Sequence, residues 1–209
     1  MTTNRSPRRR QDSGRRDELL DAAARVVARQ GVAAASTRRI AEEAGLPQGL
    51  VHYWFTGRDE LLEELVLRFL REFETTAIEP EQEAGTEPGE EADYILGRLR
   101  TAFEVVREDD PGRHLAMYEL TTWALRTPEA RETARRQYAA YHEVAARLAE
   151  PWLRRHGGGL PVGADVLAQF LVALFDGVVL GWLADPQGAE PDEVFRLVSH
   201  LFSEPCDEA

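Results

Sequence analysis

The sequence predicts an all-α protein of about nine helices, and three observations carry that prediction. No stretch alternates apolar and polar residues with Val, Ile and Thr enrichment, whereas helical periodicity recurs along the chain. Glycine, proline and capping residues stand where helices of ordinary length would start and stop. The 209 residues, 43% hydrophobic and 30% charged, suffice for a buried core in one ordinary domain or two small ones.

The first helix is expected from about Arg15 to Gln30, with Leu19, Ala23, Val26 and Val27 on one face, an Asp21–Arg25 pair, and Gly31 as its stop. Two short helices follow between Ser36 and Phe55. A fourth starts at Thr56-Gly-Arg-Asp59, a capping-box sequence, and its apolar stripe from Leu61 to Phe73 carries it to about Thr76. Residues 79–91 hold six glutamates, two prolines and two glycines, which predicts a solvated acidic connector. Helices resume at Ala92–Glu108 and His114–Arg126. Pro128 opens a long helix carrying Tyr138, Tyr141 and Trp152, which Pro151 is expected to kink or end before the loop at 156–163. The last pair covers Ala164–Ala184 and Pro191–Phe202.

Charge is divided unevenly. Residues 1–60 contain 11 Arg and 8 acids, net +3, while the remainder carries 14 Arg and 29 acids, net −15, which together give −12. A basic head on an acidic body is the pattern of a protein that meets a polyanion at one end. The arginine-rich start has no apolar stretch behind it and does not read as a secretory signal. With Cys206 the only cysteine, no intrachain disulfide is expected and a reducing cytoplasm is the expected compartment. Residues 166–183 approach the length of a membrane span, but Gln169 and Asp176 interrupt them and no basic anchor is near, so a helix buried between two subunits is expected and no membrane partner.

The most informative segment runs from Thr37 to Leu62. Counted from Thr37, the small residue Ala41 is fifth, the turn residue Gly45 ninth and the apolar Val51 fifteenth, with Ile40, Ala44, Leu46 and Trp54 at the other apolar sites. That spacing is the helix-turn-helix pattern: a small residue at the crossing, a residue tolerant of positive φ in the turn, and an apolar brace fixing the angle. Pro47 is expected in the first turn of the second helix. Ser36 reads as an N-cap, which places Arg38 and Arg39 in a first helical turn, where cations are disfavoured unless phosphate stands opposite. Gln48 suits a bidentate contact with adenine. Gly49 permits close approach at about 1 kcal/mol of helix stability.

On these residues the sequence resembles the TetR family of one-component transcriptional regulators. The resemblance rests on T-x-x-I-A-x-x-A-G-L-x-x-G-x-V from Thr37 to Val51, an aromatic cluster ending at Phe55, and R-D-E-L-L from Arg58; it continues weakly in FDGVVLGWLADP. It implies a disordered basic arm at 1–14, a DNA-binding domain at 15–60, and a ligand-binding and dimerisation domain at 61–209. Thr37 would cap the first motif helix and touch phosphate. Pro47, Gln48, Gly49 and Leu50 would face base edges, and Arg58 would meet the backbone. His52 stands where tyrosine is usual and Tyr53 follows it, which leaves open which of the two reaches DNA. The implied partners are a palindromic double-stranded operator, bound as a homodimer, and a small apolar or aromatic effector that releases it; the alternative is a regulator that acts as an activator or without a ligand.

For the effector pocket the candidates are Phe103, Met117, Tyr118, Thr121, Trp123, Tyr138, Tyr141, His142 and Phe175, an aromatic wall with hydroxyls and one imidazole. These include no arginine or lysine, which favours an uncharged or cationic ligand over a polyanion, and Asp176 is placed to neutralise a cation. The dimer candidates are Phe170, Leu174, Gly177, Val178, Gly181, Phe195, Val198 and Phe202, forming a four-helix bundle with their two-fold mates. An interaction protein or a helical enzyme are the competing classes. The basic rim argues against the first, and the lack of a nucleophile elbow, a phosphate loop or paired metal-ligating histidines against the second, so no catalytic residue, metal or cofactor is expected.

Overall fold

The computed structural model describes residues 7–77, 90–156 and 163–203. The start of the arm, most of the acidic connector and the Gly-rich loop lie outside the described residues. Among those described there are nine α-helices and no strand: α1 (Pro7–Gln30), α2 (Thr37–Ala44), α3 (Gln48–Trp54), α4 (Arg58–Ala77), α5 (Glu90–Glu108), α6 (Pro111–Arg126), α7 (Arg131–His156), α8 (Ala164–Ala184) and α9 (Pro191–Ser203). Short 3-10 turns at Val32–Ala34 and Pro128–Ala130 precede α2 and α7.

Several boundaries differ from the sequence reading: α5 and α6 begin at Glu90 and Pro111 and α7 at Arg131 rather than Pro128, and three further differences have a physical reason. The arm expected to be disordered through residue 14 is helical from Pro7, whose fixed φ suits the first helical position. Pro47 is the extended N-cap of α3, not part of its first turn. Helix α7 runs on past Pro151 to His156, because the lost donor lies near its end and buried Trp152 holds the last turn in place.

The helices form two compact units. The first comprises the chain to Glu72 and Pro111–Gln137; the second comprises Phe73–Asp110 and the chain from Tyr138 onward. Helices α4 and α7 therefore contribute to both. The functional division expected near residue 60 does not coincide with this structural one. Leu61, Leu62, Leu65, Val66 and Phe69 of α4 share one core with Leu19, Leu20, Val26 and Val27 of α1, with Ile40, Val51 and Phe55 of the motif, and with Ala116 and Leu120 of α6. Burial of that apolar surface draws α6 into the head unit.

Several ion pairs in this unit join one helix to another. Asp21 binds Arg68 of α4 at 2.5 Å instead of Arg25, and Arg25 and Arg29 both reach Glu43 of α2, at 2.8 and 2.6 Å. Behind the motif, Glu119 of α6 accepts the Val32 N–H at 2.5 Å. Gly31, at φ +80°, sits against the same carboxylate, which a Cβ there would meet at 2.9 Å. In the second unit α5 packs on α8 and α9, and Ile95, Leu99, Phe103, Leu171, Val179 and Phe195 are buried.

Candidate functional site

Local chemistry sets the motif's geometry. Ser36 caps α2, its Oγ accepting the Arg39 N–H at 3.2 Å, so Thr37 is the first helical residue and not the cap. Gly45 closes α2 in the left-handed region at φ +66°. Its N–H turns back to Glu42 and that of Leu46 to Ala41, a turn only glycine adopts without strain. Ala41 and Val51 are buried where α2 and α3 cross. The sequence spacing fixes all three positions correctly.

The outer face of α3 presents Gln48, Gly49, His52 and Tyr53, with Pro47 beside them. Gln48 Nε2 lies 3.5 Å from Thr37 Oγ1, a contact weak enough to exchange for a base. A Cβ at Gly49 would meet nothing, so that surface is open to a close-approaching ligand. Tyr53 is 70% exposed, with its ring held edge-on to Trp54 at 5.0 Å. It belongs to the surface, whereas Trp54 packs on the core. Leu50 is half-buried. Arg38 is well exposed and pairs only with Glu42, one turn on, at 2.9 Å; Arg39 donates to Gln30.

Arg58 has a role the sequence reading missed. Its Nε donates to the Ala35 carbonyl at 2.9 Å and its Nη2 to the Val32 carbonyl at 2.7 Å, while its Nη1 lies 3.3 Å from Asp59. With those donors engaged it braces the turn into α2. Behind it Glu60, not Asp59, completes the cap of α4, accepting from both the N–H and the hydroxyl of Thr56 at 2.6 Å. Those hydrogen bonds, the hydroxyl's first, hold the Glu60 carboxyl below the usual carboxylate range.

The effector candidates divide between the two units. Met117 and Trp123 pack against the head core, and Thr121 is buried beside Gln137, its hydroxyl 3.1 Å from Gln137 Oε1, all within the first unit. Tyr118, on the same helix, is half-buried. Phe103 is buried edge-on to Phe195 and Trp182, which makes it core of the second unit. Tyr138, Tyr141 and His142 do come together there. The Tyr138 hydroxyl donates to Asp176 at 2.8 Å, and its ring lies 5.6 Å from Tyr141 and 6.1 Å from His142. Phe73, which the sequence reading left in an apolar stripe, packs edge-on to Tyr141 at 4.7 Å. Phe73, Tyr138, Tyr141, His142, Phe175 and Asp176 are all only partly buried. Burial, and then the bond to Asp176, push the Tyr138 hydroxyl far above the usual phenol range, so it stays a donor.

The dimer candidates also divide. Phe195 and Val198 are buried within the protomer and cannot supply an external face. Leu174 and Val178 are partly buried, while Phe170, Gly177 and Gly181 are exposed. Val166 and Leu180 extend that exposed stripe of α8, and Val194, Leu197 and Leu201 lie exposed on α9. The Phe202 side chain lies outside the described residues. Helix α8 is the one described helix long and apolar enough to cross a membrane, and most of it is not buried within the chain.

A short, exposed second motif helix on a capped helix-turn-helix, carried by a larger helical body, defines a DNA-binding transcriptional regulator. Comparison with known proteins gives the particular family. Residues 19–65 match the family of bacterial regulatory proteins named tetR, and residues 90–204 match the tetracyclin repressor-like C-terminal domain. The chain is 31% identical over 172 residues to the HTH-type nicotine-responsive transcriptional repressor HdnoR of Paenarthrobacter nicotinovorans, covering 82% of this chain and 85% of that one. It is 26% identical over 196 residues to the HTH-type transcriptional regulator PksA of Bacillus subtilis, covering 93% and 91%. Crystal structures of the multidrug binding protein EbrR superpose with TM-scores of 0.66 in complex with imidazole and 0.65 with ethidium. Their identities are 26% and 25%; coverage of this chain is 95% and 90%, and of EbrR 95% and 97%. The chain belongs to the TetR family and is a transcriptional regulator, not an enzyme.

Proposed function

We propose that the protein is a cytoplasmic repressor that binds an inverted-repeat operator as a homodimer and is released by a small aromatic effector held in its C-terminal body. The observation that carries this reading is the outer face of α3, where Gln48, His52 and Tyr53 stand exposed beside the arginines of α2. A glutamine, an imidazole and a phenol have no packing reason to share one face, and all three hydrogen-bond base edges or phosphates.

The apolar stripe on α8 and α9 supports the dimer. Phe170, Leu180, Leu197 and Leu201 are 44–65% exposed in the single chain, and a two-fold mate would bury them. Similarity to a nicotine-responsive repressor and to a protein crystallised with ethidium supports an aromatic effector. Because α4 and α7 each belong to both units, a ligand that repacks the body has two continuous helices through which to act on the head. An affinity difference of about 100-fold between the two states, about 2.7 kcal/mol, suffices if they begin near balance.

Selection of bound fragments from the source genome, followed by footprinting, tests the reading. An inverted repeat with half-sites about 34–36 Å apart is expected, with affinity falling steeply as salt rises. Binding without sequence preference, or none at low salt, overturns it.

A further inference from the structure

We propose that Glu42 is an intramolecular stand-in for DNA phosphate. It holds the Arg38 guanidinium in the free protein, yields it on DNA, and so sets how tightly the head grips the DNA backbone. The proposal rests on the reading of α2 and α3 as the DNA-facing helices and deepens it to the residue that moderates backbone affinity.

The charges of α2 carry the argument. Its first turn holds Arg38 and Arg39 and its last turn Glu42 and Glu43, so both ends of the helix oppose its own dipole. Arginine first and glutamate four residues later is also the weaker order for a helical pair. Helix stability therefore gives little reason for the arrangement. Two of the four side chains are held by α1: Glu43 takes Arg25 and Arg29, and Arg39 donates to the neutral Gln30. The other two meet each other. Arg38 Nε donates to Glu42 Oε1 at 2.9 Å, with the side chains 77% and 59% exposed. Among the described residues that bond is the one polar contact of either side chain.

A pair this exposed is weak and opens readily in water. A phosphate oxygen offers the guanidinium the same charge-assisted hydrogen bond that the carboxylate gives. Arg38 therefore meets DNA at the expense of Glu42, and the freed carboxylate is left beside the polyanion, where it takes up a cation. That uptake offsets counterion release by up to about one ion per half-site. Arg39 gives up only a neutral amide and carries no such cost. Phosphates hold no sequence information, so the moderation falls on operator and random DNA alike and leaves base preference to α3.

The test uses the full-length protein, a fluorescein-labelled random-sequence duplex and the selected operator, with anisotropy read across a salt series. Glu42→Gln keeps the shape and removes the charge. It should bind both duplexes about three- to ten-fold tighter at low salt, with a salt slope steeper by up to about one per half-site and base preference unchanged. Glu42→Ala, which removes the acid with a different shape, should show the same gain. Arg38→Ala and Arg38→Ala/Glu42→Gln should bind alike to within about two-fold, because the acid acts through Arg38. A larger gain in the Arg38→Ala background marks a general charge effect and overturns the proposal. So does no gain in the wild-type background, or a gain for the operator alone. Operator binding that ignores Glu42 sinks this proposal by itself, whereas no DNA binding by the wild type sinks the regulator reading with it.

Discussion

Single side chains on the motif decide between support and recognition. Arg58 holds two backbone carbonyls of the turn before α2. Arg58→Ala should destabilise the protein by about 1–3 kcal/mol, the range for charged hydrogen bonds whose acceptors are left unmet, and should leave the salt slope of residual DNA binding unchanged. Urea titration and a salt series check the two parts. Gln48→Ala acts at the surface, where its amide makes a weak 3.5 Å approach to Thr37. It should leave stability within about 0.5 kcal/mol and relax preference at one base pair per half-site by about 1–3 kcal/mol, read from binding to operators randomised at each position. Glu60 introduces a pH dependence. Its folded pKa is depressed by the bonds from Thr56, so its contribution is present above the ordinary glutamate range and is lost as pH falls through the folded value. Glu60→Gln should therefore lower the melting temperature at neutral pH, by the equivalent of about 0.5–1 kcal/mol for an exposed cap, and the two melting curves should converge in acid.

Among the elements, the turn from Gly31 to Ala35 is the most constrained. It is held by Glu119 from α6 and by Arg58 from α4, and it aims α2. Gly31 is required there twice over, by its φ of +80° and by the carboxylate that a Cβ would touch at 2.9 Å. Gly31→Ala should cost about 1–2 kcal/mol or more in thermal unfolding, with the loss exceeding that of Gly45→Ala, where φ is +66° but space is open. Equal losses at the two glycines would show that Glu119 moves aside freely. The same element shows why the sequence alone gave an incomplete account of the head. The turn residues were legible from spacing, but the acid that fixes them lies 87 residues away with no motif to mark it.

At the scale of the whole molecule, the exposed stripe of α8 and α9 governs assembly. Leu197 is 60% exposed in the single chain, so Leu197→Asp should leave the protomer's fold intact by circular dichroism. In a dimer it would bury unpaired charge, and sedimentation should show monomers at micromolar concentration with operator affinity sharply reduced. A dimer unaffected by this change would place the interface on another face.

The sequence by itself determined the helical fold, the motif from Ser36 to Phe55, the glycines of its turns and the family to which the chain belongs. These are local or periodic properties: a cap, a positive φ, a small residue at a crossing and an apolar stripe every three to four residues all leave a mark within a few positions. It also brought out Tyr138, Tyr141, His142 and Asp176, because aromatic residues and a lone acid stand out on apolar helices. Only the tertiary structure decided what each apolar side chain faces. Met117 and Trp123 went to the head core, Phe103 and Phe195 to each other, and Phe73 to Tyr141. A helical stripe predicts that a residue is covered but not by what, because the covering element is chosen by packing among helices far apart in sequence. Arg58 gives the same lesson for charge: its place at the start of a helix suggests phosphate, and only the structure shows the two carbonyls within its reach.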